Sequence, residues 1–248
     1  KEQQSLNQLN DWLKNDEVAA FIYEPLIQGA GGMIMYEAEA LNDLMACCKK
    51  YGVLTIADEV MVGFGRTGSY FASDYVAHKP DIMCLSKALT GGTMAMSITT
   101  CTDEIYAAFL SEDKLKTFFH GHSFTANPTA CAASLASLDL FDQQTTWDNI
   151  ARIEEQHRAF MTKWQNETII KSIRLQGTIL AIEFKTNEAS GYLNGIRDFM
   201  ADFCLKQGVL LRPLGNVIYI LPPYCITHDT LNRVYEVIEM LMDELKNK

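Results

Sequence analysis

A lysine and a carboxylate stand at the ends of two short apolar runs. Lys87 follows Asp81-Ile82-Met83-Cys84-Leu85-Ser86 and opens onto Ala88-Leu89-Thr90-Gly91-Gly92, while Asp58-Glu59 closes Val53-Leu54-Thr55-Ile56-Ala57. Runs of that kind read as buried strands, and a lysine at the end of one is costly unless its amine is needed there. A buried amine and a buried carboxylate at the mouth of one sheet are what pyridoxal phosphate requires. The amine bonds covalently to the cofactor's carbonyl carbon, and the acid keeps the pyridine nitrogen protonated. Taken singly, Lys87 reads as a surface lysine and Asp58 as a strand-end cap; their combination carries the reading.

The elements that must position these groups alternate along the chain. An amphipathic helix is predicted over 2–15, a strand over 18–23 ending at Glu24-Pro25, and a helix over 38–51 with apolar positions 41, 44, 45 and 48. Strands follow at 53–57, 82–85 and 95–100, then a helix over 125–141. Apolar strands alternating with helices predict an α/β domain with a mostly parallel sheet, covered on both faces. The texture changes near 165. A strand over 173–184 containing Gly177, a helix over 192–206, strands at 209–212 and 217–221, and a last helix capped by Thr227 predict a smaller α+β domain. The expected boundaries are 1–165 and 166–248, with the helix 146–165 joining them. A doubly wound sheet needs its own first strand and phosphate-binding turn, so the chain reads as the C-terminal part of a larger protein.

Bulk composition narrows the function. The 248 residues are 48% apolar with a net charge of −10, and the longest basic block is Lys49-Lys50, so nucleic acid and anionic membranes are not expected partners. No apolar run reaches the ~18 residues of a membrane span, and the start of the chain is polar. Seven cysteines without a C-x-x-C spacing argue for a reducing compartment, hence the cytoplasm, and most of them read as buried small hydrophobes. His120-Gly121-His122 lacks a third ligand nearby, so no metal site is expected.

Gly63-Phe64-Gly65-Arg66-Thr67-Gly68 matches the dinucleotide pattern G-x-G-x-x-G. Asp58 and Glu59 just before it would repel a pyrophosphate, and Ser69 to Asp74 does not open a long helix, so a nicotinamide-binding protein is the poorer reading. A turn packed beside another site accounts for it better.

Asp58-Glu59-Val60, the glycine run 63–68, Pro80-Asp81-Ile82 and Ser86 to Gly92 together resemble the class III pyridoxal-phosphate aminotransferases, in register over about residues 17–245. The resemblance implies a fold-type I transferase. It makes Lys87 the cofactor-bearing lysine and proton shuttle, Asp58 the partner of the pyridinium nitrogen, and Val60 an apolar contact on one ring face. His120 to Pro128 resembles the family segment that reaches into the neighbouring subunit. That implies cofactor contacts from His122 and Ser123, a phosphate at Ser123 beside a helix start, and a homodimer with shared active sites.

Phe21 to Tyr36 and Arg212 to Tyr224 are similar to the biotin-pathway members of the family. This implies transamination of 8-amino-7-oxononanoate to 7,8-diaminononanoate, with S-adenosylmethionine as the expected donor and lysine as an alternative. Arg212 would hold the far carboxylate of the keto acid, and Gly121 would allow close backbone approach to it. Relatives that exchange dicarboxylates often carry a glutamate where this chain has Ala30. The alternatives are another class III ω-amino acid or diamine aminotransferase, and an inactive fragment.

Overall fold

The computed structural model describes residues 2–15, 17–186, 191 and 193–247. In chain order they form α1 (Glu2–Leu13), β1 (Ala20–Tyr23), β2 (Ile27–Gln28), β3 (Ile34–Met35), α2 (Ala38–Lys50), β4 (Leu54–Asp58), β5 (Ile82–Leu85) and β6 (Ile98–Cys101). There follow α3 (Asp103–Ala107), α4 (Pro128–Phe141), α5 (Gln144–Trp164), β7 (Ile170–Gln176), β8 (Ile179–Phe184), α6 (Ile196–Lys206), β9 (Val217–Ile220) and α7 (His228–Lys246). No helix among the described residues is long and apolar enough to cross a membrane. Residue 192, the expected start of α6, lies outside the described residues.

Contacts divide the chain into two compact units. The first comprises 1–26, 36–64 and 71–142; the second comprises 27–35, 65–70 and 143–248. α5 belongs to the second unit, with Ile153 and Phe160 buried in the core built by β7, β8, β9, α6 and α7.

The first unit is a four-stranded sheet in the order β1-β4-β5-β6. β1, β4 and β5 run parallel, as expected, but β6 runs antiparallel to β5. The strands 82–85 and 98–101 are joined by residues 86–97, which contain the 3-10 turn Lys87–Thr90 and then Gly91 and Gly92, with positive φ angles of 60° and 81°. That connection holds only a single 3-10 turn and no helix of the kind that usually carries a parallel crossover. One face of the sheet is buried: Ala57 is inaccessible, and the Tyr23 hydroxyl donates to Met45 Sδ of α2 at 3.3 Å. On the opposite face Ile22 of the edge strand β1 is 64% exposed.

In the second unit the expected single strand over 173–184 is two. β7 and β8 form an antiparallel hairpin that turns at Gly177-Thr178, where Gly177 has φ 53°. β9 pairs antiparallel with β8, and residues 209–212 form no strand. Thr227 caps α7 as expected, its hydroxyl accepting from Thr230 N–H at 3.1 Å. Of the cysteines, Cys48 and Cys204 are buried and Cys101 and Cys225 exposed, so burial is rarer than composition suggested.

Candidate active site

The carboxyl ends of β4 and β5 carry the two groups singled out by sequence. Asp58 is the last residue of β4 and pairs in register with Cys84, three residues before Lys87. Asp58 shares its sheet face with Ile56 and is half-buried. Its Oδ1 accepts from Val60 N–H at 3.1 Å, which leaves Oδ2 available as a second acceptor. Val60, the expected ring contact, is half-buried two residues on.

Lys87 opens a short 3-10 turn, Lys87–Thr90, with a positive φ of 45°. That conformation costs a non-glycine residue about 1–3 kcal/mol and persists only where the surroundings impose it. Here Ser86 Oγ donates to Met96 O at 2.7 Å and Ser137 Oγ of α4 donates to Ala88 O at 3.1 Å, pinning the turn on both sides. Lys87 is exposed rather than buried, because the left-handed residue carries the chain off the end of the strand. Its amine has no hydrogen-bond or ionic partner among the described residues. A free amine on a constrained backbone beside a carboxylate with a spare oxygen fits the demands of pyridoxal phosphate: one nucleophile for its carbonyl and one acid for its ring nitrogen.

Glu59, read from sequence as half of a carboxylate pair, serves differently. Alternation places it on the opposite face from Asp58, where it is 1% exposed. Its two oxygens accept from Ser73 N–H at 2.7 Å and Ala72 N–H at 3.0 Å, and burial pushes its carboxyl above the usual range. Gly63 sits in the turn that follows, donating to Glu59 O at 2.9 Å. The stretch after it contains only the 3-10 turn Ala72–Tyr75, not the long helix a dinucleotide would need.

The segment His120 to Asn127 is exposed along most of its length, including Gly121, His122 and Ser123. His122 Nδ1 accepts from Phe124 N–H at 3.1 Å, and Asn127 caps α4 by accepting from Thr129 N–H at 2.9 Å. Ser123 therefore lies in the loop before the helix, its hydroxyl uncommitted. The preceding stretch exposes Tyr106, Phe109, Leu115, Phe118 and Phe119.

In the second unit, Arg212 is exposed, without a hydrogen-bond or ionic partner among the described residues. Arg66, which sequence reasoning gave no individual role, is held firmly. Its Nη1 donates to Pro222 O at 2.6 Å, its guanidinium lies 4.5 Å from the Tyr224 ring centre, and its own carbonyl accepts from Thr178 N–H at 2.9 Å. The Gly29–Met33 turn, which contains Ala30, is held by Arg174, whose guanidinium donates to Gly32 O at 3.0 Å and Met33 O at 3.1 Å. No spacing rule would have found these two arginines, since each acts on carbonyls distant in sequence.

Parallel strands that bring an aspartate and a lysine to one carboxyl edge define the lysine-bearing part of a fold-type I cofactor domain. The Aminotransferase class-III family profile matches residues 1–242, and the chain belongs to that family, whose members depend on pyridoxal phosphate. It is 43% identical over 246 residues to the adenosylmethionine-8-amino-7-oxononanoate aminotransferase of Synechococcus elongatus, covering 99% of this chain and 57% of that protein. The crystal structure of the Methanocaldococcus jannaschii protein of the same name superposes with a TM-score of 0.86 at 33% identity, covering 95% of this chain and 57% of that one. The ω-transaminase of Pseudomonas jessenii, solved in complex with PMP, superposes with a TM-score of 0.89 at 26% identity over 98% of this chain and 55% of that one. The chain thus spans about half the length of the relatives it matches.

Proposed function

We propose that this chain is part of a pyridoxal-phosphate aminotransferase that converts 8-amino-7-oxononanoate to 7,8-diaminononanoate in biotin synthesis, with S-adenosylmethionine as amino donor. The observation that carries the cofactor half is the placement of Asp58 at the end of β4 and Lys87 two residues past the end of the adjacent parallel strand β5, each with an uncommitted polar atom. The names of the relatives from S. elongatus and M. jannaschii support the substrate. Bound pyridoxal phosphate supplies an electron sink and a carrier for the amino group.

The residues of this chain do the rest. Lys87 would hold the cofactor, and its amine would take and return the proton at the reacting carbon. Asp58 accepts the ring N–H through its spare oxygen and holds the ring in its protonated form. Val60 packs on the ring, while His122 and Ser123 serve the phosphate side of a neighbouring copy. Gly121 lets the backbone approach the substrate, and Arg212 clamps the far carboxylate of the keto acid. Ala30, with no acid to pair with a dicarboxylate, favours this reading over a glutamate-exchanging relative. The exposed aromatic stretch Phe109 to Phe119 supports a homodimer with shared sites, since a solvated patch of that kind is covered in most proteins. A polar, acidic enzyme acting on small metabolites is assigned to the cytoplasm.

The test is a coupled assay on the full-length enzyme with 8-amino-7-oxononanoate and each candidate donor. Formation of 7,8-diaminononanoate with S-adenosylmethionine and not with ω-amino acids is expected. Turnover of ω-amino acids alone would replace this reading with the ω-transaminase one.

A further inference from the structure

Glu59 lies between the two residues expected to touch the cofactor ring, and every polar group it has is engaged. Its N–H donates to Cys84 O at 3.0 Å, tying the end of β4 to β5. Its carbonyl accepts from Gly63 N–H at 2.9 Å, closing the first turn of the following loop. Its two carboxylate oxygens take the N–H groups of Ser73 and Ala72, at the far end of that loop. Asp58, by contrast, spends only Oδ1, on Val60 N–H.

A carboxylate that is 1% exposed, with no cation in hydrogen-bond contact, is a costly choice for a mere filler. Only an ionised carboxylate offers full acceptor capacity on both oxygens to two consecutive N–H groups; an amide of the same shape offers one acceptor and turns a donor toward the second. One buried side chain therefore ties the turn at 59–63 to the backbone at 72–73, and residues 58–60 have their course set from the buried side.

Resting on the cofactor reading above, we propose that Glu59 is a positioning residue: its buried carboxylate fixes the course of residues 58–60, and so sets the contact of Asp58 with the ring nitrogen of pyridoxal phosphate. It touches neither cofactor nor substrate. Its effect reaches the ring through the backbone of Asp58 and Val60.

The test compares wild-type holoenzyme with Glu59→Gln, loaded with pyridoxal phosphate labelled with 15N in the ring. In wild type the ring-nitrogen NMR shift is expected at the protonated position. In Glu59→Gln it is expected to move toward the neutral-pyridine position, with cofactor release accelerated about 10-fold or more, the weight of one charge-assisted hydrogen bond. Leu41→Ala, a cavity in the core of the same unit, is the control that lowers stability without moving the nitrogen signal. If Glu59→Gln does not fold, Ala72→Pro removes one of the two donors where the preceding residue, Phe71, already has the extended backbone (φ −127°, ψ 150°) that proline requires. A variant less stable than wild type but with an unmoved nitrogen signal and release rate would reduce Glu59 to a structural group and overturn the inference. Wild-type protein that takes up no cofactor on Lys87 would instead overturn the cofactor reading itself, a separate and earlier failure.

Discussion

Asp81 and Thr55 are joined by four hydrogen bonds at the amino ends of β5 and β4, one of them from Asp81 N–H to Thr55 Oγ1 at 3.2 Å. Asp81 Oδ2 accepts from both the N–H and the Oγ1–H of Thr55, each at 2.7 Å, and Asp81 N–H donates back to Thr55 O at 3.0 Å. From that clamp the strands run in register, Ile56 beside Ile82 and Asp58 beside Cys84, so that Lys87 emerges three residues past the partner of Asp58. A slip of one residue would send Asp58 to the buried face. Asp81→Ala is expected to cost about 2 kcal/mol, because it strands two donors of Thr55. Urea denaturation measures it, and cofactor affinity should fall in the same variant. An unchanged midpoint would show that the clamp does not hold the register.

The hairpin turn of β7 and β8 makes a sharper demand. A Cβ on Gly177 would lie 2.3 Å from Thr67 C and 2.5 Å from Gly68 N, at a residue whose φ is already 53°. Gly177→Ala is expected to destabilise by about 3 kcal/mol or more, since backbone faces it and cannot step aside. A midpoint shift in denaturant below a few tenths of a kcal/mol would mean that the 65–70 loop is not held there.

Behind that turn lies His157, fully buried. Nε2 is 3.2 Å from Thr178 O, an acceptor only, so Nε2 carries the proton and Nδ1 accepts from the Tyr235 hydroxyl at 2.6 Å. Burial pulls the His157 pKa down from 6.5 to about 4. Between those two values the unfolded chain binds a proton that the folded chain refuses. Stability therefore falls as pH drops through that window, by at most about 3 kcal/mol, and is unaffected by this group above it. Thermal unfolding from pH 7 to pH 4 should show the decline, and His157→Gln should flatten it. An equally steep decline in the variant would assign the slope to other groups.

Much of this was legible in the residues. The spacing of Leu41, Leu44, Met45 and Cys48 marks α2, Thr227 marks the start of α7, and the apolar run before Asp58 marks β4. Three features were not legible in composition and spacing alone. The direction of β6 is set by its pairing with β5 and not by its composition. Gly177 interrupts an alternating pattern without any second turn residue to flag a hairpin. Asp58 and Glu59 look equivalent side by side, and only the strand's alternation sends them to opposite faces, Glu59 into the core. The exposure of Lys87 was likewise hidden, since it stems from a left-handed backbone that lysine seldom adopts.

On the proposed function, Arg212 would separate the acceptor's recognition from the donor's. It is exposed, without a hydrogen-bond or ionic partner among the described residues, so Arg212→Ala should leave stability within about 0.5 kcal/mol. Steady-state kinetics of the full-length variant should show a KM for 8-amino-7-oxononanoate raised about 10- to 100-fold, with that for the donor little changed. Equal increases for both would remove Arg212 as the carboxylate clamp.

The central claim is that Lys87 bears the cofactor. Full-length protein incubated with pyridoxal phosphate, reduced with borohydride and digested should yield one pyridoxyl-modified peptide, the one containing Ser86-Lys87-Ala88, and Lys87→Ala should yield none. Modification at another lysine, or an unmodified Lys87 peptide in the loaded enzyme, would contradict the account.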